Sequence, residues 1–123
     1  MAKILVVDDN YEIRNILEKH LTAEGHEVVT AADGLEALQI LDTSTPDLMT
    51  LDISMPGIDG YEVCRRVRQE LQRGSLPILV ISGNINHEDK RKALDLGADK
   101  YITKPFKVDE LLSTVKTLIT RNT

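Results

Sequence analysis

The chain has 123 residues, with 20 acidic against 15 basic side chains and a net charge of −5; that length suits one domain with a full core, and the acidity argues against the basic stripe that a nucleic-acid surface needs. No run approaches the roughly 18 apolar residues of a membrane span, and the N-terminus MAKILVVDD lacks the long apolar region and cleavage site of a signal peptide, so a cytoplasmic protein is expected. The single cysteine, Cys64, can form no internal disulfide and has no ligand-spaced partner, which fits a small buried hydrophobe in a reducing compartment.

Residues 3–7 (KILVV) are a short apolar run of strand type. A helical pattern follows, with Ile13, Ile16, Leu17 and Leu21 on one face, ending before Gly25, a natural C′ residue. A second strand spans 27–31 (EVVTA), after which Asp33 and Glu36 open a second helix. The third strand covers 47–51, and Asp59 with Glu62 opens the third helix; both Asp and Glu pairs have capping-box spacing, with Asp in place of Ser or Thr. The fourth strand is 77–81 (PILVI), and Asn86 caps a fourth helix that Gly97 stops. After a fifth strand at 99–102, the last helix carries Val108, Leu111, Leu112, Val115, Leu118 and Ile119, the clearest 3.6-residue stripe in the chain. No repeat, low-complexity segment or interdomain linker interrupts the series.

Five near-continuous apolar strands alternating with helices imply an α/β fold: a doubly wound, five-stranded parallel sheet covered on both faces. The expected arrangement is a flavodoxin-like (βα)5 single domain over residues 1–123 with strand order 2-1-3-4-5. Its switch point lies between the first and third strands, beyond whose carboxyl ends ligands bind. Asp8, Asp9, Asp52, Ser82 and Lys104 all fall at strand ends on that side, as one acidic pocket with one lysine suited to phosphoryl transfer. Three carboxylates at one crevice repel each other unless a cation compensates, and an all-oxygen donor set suits Mg²⁺ or Mn²⁺ rather than zinc.

Each residue also has a plainer explanation. Asp8 and Asp9 would favour a helix N-terminus, Asp52 would be a loop aspartate, Ser82 a turn residue bonding its own backbone, and Lys104 a surface lysine beside Pro105. Their conjunction favours the pocket, because lysine is a point-charge phosphate partner able to follow an anion whose geometry changes during transfer.

The segments LVVDD (5–9), LDISMPGIDGYE (51–62), ILVISG (78–83) and DKYITKPF (99–106) resemble those of bacterial response-regulator receiver domains, in order and across essentially the whole chain. That resemblance implies Asp52 as phosphoacceptor, Asp9 as a direct Mg²⁺ ligand, Asp8 as a second acidic ligand acting partly through water, and the Ser54 carbonyl completing the protein ligands. It also implies catalytic parts for Lys104 and Ser82, a switch pair of Ser82 and Tyr101, and a cis peptide between Lys104 and Pro105. The implied function is a phosphoacceptor switch of two-component signalling rather than a turnover enzyme. The donor would be a sensor histidine kinase or histidine phosphotransfer protein, and the output a surface of fourth helix, fifth strand and fifth helix that meets a downstream protein, without nucleic-acid contact or membrane insertion.

Some positions depart from that family's usual pattern. Thr50 stands where an aliphatic residue is usual, and its hydroxyl must find a partner if buried. Gly83 replaces the commoner alanine and leaves the rigidity of the switch loop open. Ser54 and Asn84 occupy positions that tune the phosphoryl lifetime. His20 reads as hydrogen-bonded and partly buried, His26 and His87 as exposed, and Tyr11 and Phe106 as packing residues.

Two other classes compete: a phosphorylation-independent interaction module on the same fold, and an aspartate-nucleophile phosphohydrolase similar to the haloacid dehalogenase family. The second needs an acid two residues beyond its nucleophile, where Ser54 stands. A flavin-binding reading lacks a phosphate loop after Val7. No output domain is expected after the fifth helix, so the chain reads as a stand-alone receiver or a piece of a longer regulator.

Overall fold

Apolar residues at successive positions, not alternate ones, require strands buried on both faces, and the three inner strands meet this demand. The computed structural model describes residues 2–83 and 86–121. The strands are β1 (Lys3–Val7), β2 (Glu27–Ala31), β3 (Leu48–Leu51), β4 (Ile78–Ser82) and β5 (Lys100–Thr103); the helices are α1 (Tyr11–Ala23), α2 (Gly34–Thr43), α3 (Gly60–Arg65), α4 (His87–Asp95) and α5 (Val108–Arg121). All strand pairs are parallel, in the order β2-β1-β3-β4-β5. This is the expected flavodoxin-like order. Every residue of β3 and β4 is buried, whereas the edge strands β2 and β5 are partly exposed.

Alternate strand positions feed two cores. Leu5, Val7, Met49, Leu51, Ile78 and Val80 pack with Ala37, Leu41, Val63, Cys64 and Ala93 of α2, α3 and α4. Ile4, Val6, Leu48, Leu79, Ile81 and Ile102 pack with Leu17 and Leu21 of α1 and Leu111, Val115 and Leu118 of α5. Cys64 is buried as expected, and burial pushes its thiol up to about 12, leaving it unreactive at neutral pH.

Helix ends follow their side chains. Gly25, with φ of 92°, closes α1 in a Schellman arrangement: its N–H donates to the Thr22 carbonyl and that of His26 to the Leu21 carbonyl. Asp33, Asp59 and Asn86 cap α2, α3 and α4 as expected. The reciprocal half of the capping boxes is absent. Glu36 accepts from the Ala32 N–H, one residue before the cap, and Glu62 turns instead to Arg65 and Arg66. Strands β3, β4 and β5 each begin one residue later than expected.

Four expectations need correction. Thr50 is 1% exposed and its hydroxyl has no hydrogen-bond partner among the described residues; its cross-strand neighbours, Val6 and Leu79, are both apolar. His26 is half-buried rather than exposed, its Nδ1 accepting from the Ala2 N–H at 3.2 Å. Tyr11 is 70% exposed, with the Arg14 guanidinium 5.7 Å from its ring centre, so it is not a packing residue. Ile16, placed on the apolar face of α1, is 41% exposed. A π-helical segment, Arg66–Glu70, follows α3 and had no counterpart in the sequence pattern. His87 is exposed, His20 is half-buried, and Phe106 packs against the α1–α5 core.

Candidate functional site

The sheet register builds the site before any side chain acts. Val7 pairs with Leu51, so Asp8 and Asp52 leave adjacent strands side by side. Their backbones continue the ladder: the Asp52 N–H donates to the Val7 carbonyl at 3.0 Å, the Asp8 N–H to the Ala31 carbonyl at 3.2 Å, and the Lys104 N–H to the Ser82 carbonyl at 2.9 Å. Asp8 and Asp52, 44 positions apart in sequence, thus meet at the carboxyl edge of the sheet.

The β3–α3 loop is held tightly behind Asp52. The Gly60 N–H donates to the Ile53 carbonyl, and a Cβ at Gly60 would lie 2.5 Å from the Asp52 carbonyl oxygen, so only glycine allows α3 to start this close to the acceptor strand. The Ser54 N–H donates to Asp52 Oδ1 at 3.2 Å, leaving Oδ2 turned toward Lys104.

Asp8, Asp9 and Asp52 each present a carboxylate oxygen within 4.8 Å of the others. Asp8 and Asp52 are buried, while Asp9 is exposed. Lys104 Nζ lies 2.8 Å from Asp8 Oδ2 and 3.5 Å from Asp52 Oδ2, so one ammonium faces two carboxylates and pairs more closely with Asp8. Burial raises the Asp52 pKa above its ordinary value; Lys104 opposes this, Asp8 reinforces it, and hydrogen bonds from the Ser54 backbone and the Ser82 hydroxyl oppose it. The Lys104–Pro105 peptide is cis.

Ser82 is fully buried and acts on both Asp52 and Tyr101. Tyr101 is half-buried, and burial raises its hydroxyl pKa. A hydrogen bond with Ser82 opposes that rise. Gly83 sits in open space where a Cβ would meet nothing within 4 Å. Asn84 lies outside the described residues.

Three participants were missed by sequence reasoning. Asn10 donates its N–H to Asp8 Oδ1 at 2.9 Å and caps α1 by accepting from Ile13; an Asn just before a helical pattern was a readable signal. Arg14 donates from Nη1 to the Asp8 carbonyl at 2.7 Å. Tyr61 ties α3 to α4: its hydroxyl is 3.2 Å from Asp89 Oδ1 and its ring centre 4.3 Å from Lys92 Nζ. Neither of these two contacts has a signature in the local sequence.

The donor set fits a hard divalent cation: three carboxylates, no nitrogen or sulfur ligand among them, and an uncompensated negative charge that Lys104 alone does not neutralise.

The chain resembles known proteins along nearly its whole length. Over 119 residues it is 46% identical to the probable transcriptional regulator ycf27 of Cyanophora paradoxa, covering 97% of this chain and 48% of that protein. Over 120 residues it is 44% identical to the alkaline phosphatase synthesis transcriptional regulatory protein PhoP of Bacillus subtilis, covering 98% and 49%. The chain therefore spans about half the length of these curated relatives. The receiver domain of a Francisella response regulator, 1452, superposes with a TM-score of 0.93 at 32% identity, covering all of both chains. Among the described residues no helix is long and apolar enough to cross a membrane. With residues 4–116 matching the response regulator receiver domain, at the register that brings Asp8, Asp9, Asp52 and Lys104 together, the chain belongs to that family.

Proposed function

We propose that this receiver domain is a phosphoacceptor switch in which Asp52 is the nucleophile. The observation that carries this reading is the Asp52 carboxylate, buried at the end of β3 with Oδ2 facing Lys104 Nζ at 3.5 Å and two further aspartates alongside. An Asp52 oxygen attacks phosphorus in line, the new O–P bond forming as the P–N bond of a partner's phosphohistidine, or the P–O bond of a small acyl phosphate, breaks. Imidazole or a carboxylate leaves with the bonding pair, and the product is an acyl phosphate on Asp52.

The Ser54 N–H fixes the carboxylate plane by holding Oδ1, so that Oδ2 is the oxygen aimed outward. Lys104 shifts its charge from Asp8 toward the equatorial phosphoryl oxygens, and Ser82 donates its hydroxyl to one of them. Asp8, Asp9, Asp52 and the Ser54 carbonyl would hold Mg²⁺ or Mn²⁺, which would neutralise the clustered carboxylates and the incoming phosphoryl charge. Ser82, drawn toward the phosphoryl group, changes its contact with Tyr101 and so the surface of α4, β5 and α5.

The donor is a sensor histidine kinase or histidine phosphotransfer protein in the cytoplasm, and the domain, residues 1–123, signals to a downstream protein rather than turning over a substrate. Within a longer chain like its transcriptional-regulator relatives, it would act on a DNA-binding segment. Phosphotransfer profiling against a panel of histidine kinases and phosphotransfer proteins tests this: label should pass from at least one donor to wild type and from none to Asp52→Asn. Equal transfer to both proteins would remove the assignment.

A further inference from the structure

In the Asp8–Asp9 turn, every polar group of Asp8 is held. The Asp8 N–H is held by Ala31, its Oδ1 by the Asn10 N–H, its Oδ2 by Lys104, and its carbonyl by Arg14. The Asp9 carboxylate, by contrast, is exposed, with no hydrogen bond to it among the described residues. Its aim into the acidic cluster is therefore set by the backbone alone, and in particular by the plane of the Asp8–Asp9 peptide.

Arg14 is what holds that plane. It lies in the first turn of α1, its own N–H donating to the Asn10 carbonyl, and its side chain reaches back across the helix start to donate from Nη1 to the Asp8 carbonyl at 2.7 Å. A charge-assisted bond of this length restrains a peptide more strongly than a neutral one. The Tyr11 ring, 5.7 Å from the guanidinium carbon, flanks the same side chain. We infer that Arg14 is a positioning residue for the divalent-cation site: by gripping the Asp8 carbonyl it orients the Asp8–Asp9 peptide, and through it the otherwise untethered Asp9 carboxylate. This rests on the proposed cation site but not on phosphorylation of Asp52.

The sign of the effect separates this role from simple electrostatics. Arg14 carries a positive charge near the cluster, so on Coulombic grounds alone its removal should tighten binding of a cation. A positioning role requires the opposite, and residues that orient ligands typically alter metal affinity by about ten- to hundredfold.

The test is Mg²⁺ titration of the intact chain followed by amide chemical shifts, for wild type, Arg14→Met and Arg14→Lys. Arg14→Met keeps the apolar stem and loses every donor; should it not fold, Arg14→Gln, uncharged and shorter, replaces it. The expected result is roughly tenfold weaker Mg²⁺ binding in the Met variant, with metal-free shift changes centred on Asp9 and Asn10 and partial recovery in the Lys variant, which keeps one charged donor. Unchanged or tighter binding in the Met variant overturns the inference. No Mg²⁺ binding by wild type overturns the cation site itself, and the inference with it.

Discussion

At the Asp52 carboxylate, the proposed chemistry and folding stability pull in opposite directions. Its carboxyl pKa is raised in the folded protein, chiefly by burial, so the ionised form at neutral pH is held at a cost to folding. The sign follows from linkage: below the unfolded value of 3.8 the carboxyl is protonated in both states and the penalty is absent; it grows as pH rises above 3.8 and is complete once pH has passed through the raised folded pKa. Asp52→Asn, which cannot ionise, should therefore melt higher than wild type at pH 7 in metal-free buffer, and the advantage should shrink as pH falls toward 3.8. Thermal unfolding across that range checks it; a mutant that is less stable at pH 7 would mean that Lys104 outweighs burial. Thr50 makes a similar point without charge. Its buried hydroxyl lacks a partner among the described residues, so Thr50→Val should stabilise by about 1 kcal/mol. Urea unfolding measures this, and a loss of stability would reveal a hydrogen-bond partner for the hydroxyl.

At the scale of elements, α4 is the helix with the least apolar anchorage, burying only Ala93. Tyr61 compensates from α3, its hydroxyl on Asp89 and its ring under Lys92. Burial, then the Asp89 hydrogen bond, pushes that hydroxyl up to about 12. A raised folded pKa means that the stabilisation is complete below the ordinary value of 10 and is lost as pH rises through about 12. Tyr61→Phe should cost roughly 0.5–1.5 kcal/mol at pH 7, with faster amide exchange in α4. Between pH 10 and 12 wild type should lose stability that the mutant keeps. Equal exchange rates in α4 would show that the tie holds nothing. Elements like these were only partly legible. Caps at Asp33, Asp59 and Asn86 could be read because capping is local chemistry, acting within three residues. The π-helical segment Arg66–Glu70 could not, since five residues carry no periodicity that separates it from an α-helical turn. Nor could the exposure of Tyr11 and Ile16, which depends on what α1 packs against.

For the whole molecule, the strand order was legible because apolar runs buried on both faces, short connections and right-handed crossovers leave few arrangements of five strands. Once that order is given, Asp8, Asp52, Ser82 and Lys104 must converge, because each ends or directly follows a strand. What stayed hidden was long-range and side-chain-borne: the closer pairing of Lys104 with Asp8 than with Asp52, and the grip of Arg14 on the Asp8 carbonyl. The central claim is that this convergence makes Asp52 a phosphoacceptor. Intact-mass spectrometry after incubation with acetyl phosphate and Mg²⁺ tests it most directly: wild type should gain one phosphoryl group and Asp52→Asn none, whereas an unmodified wild type, or a mutant labelled as fully, would contradict the account.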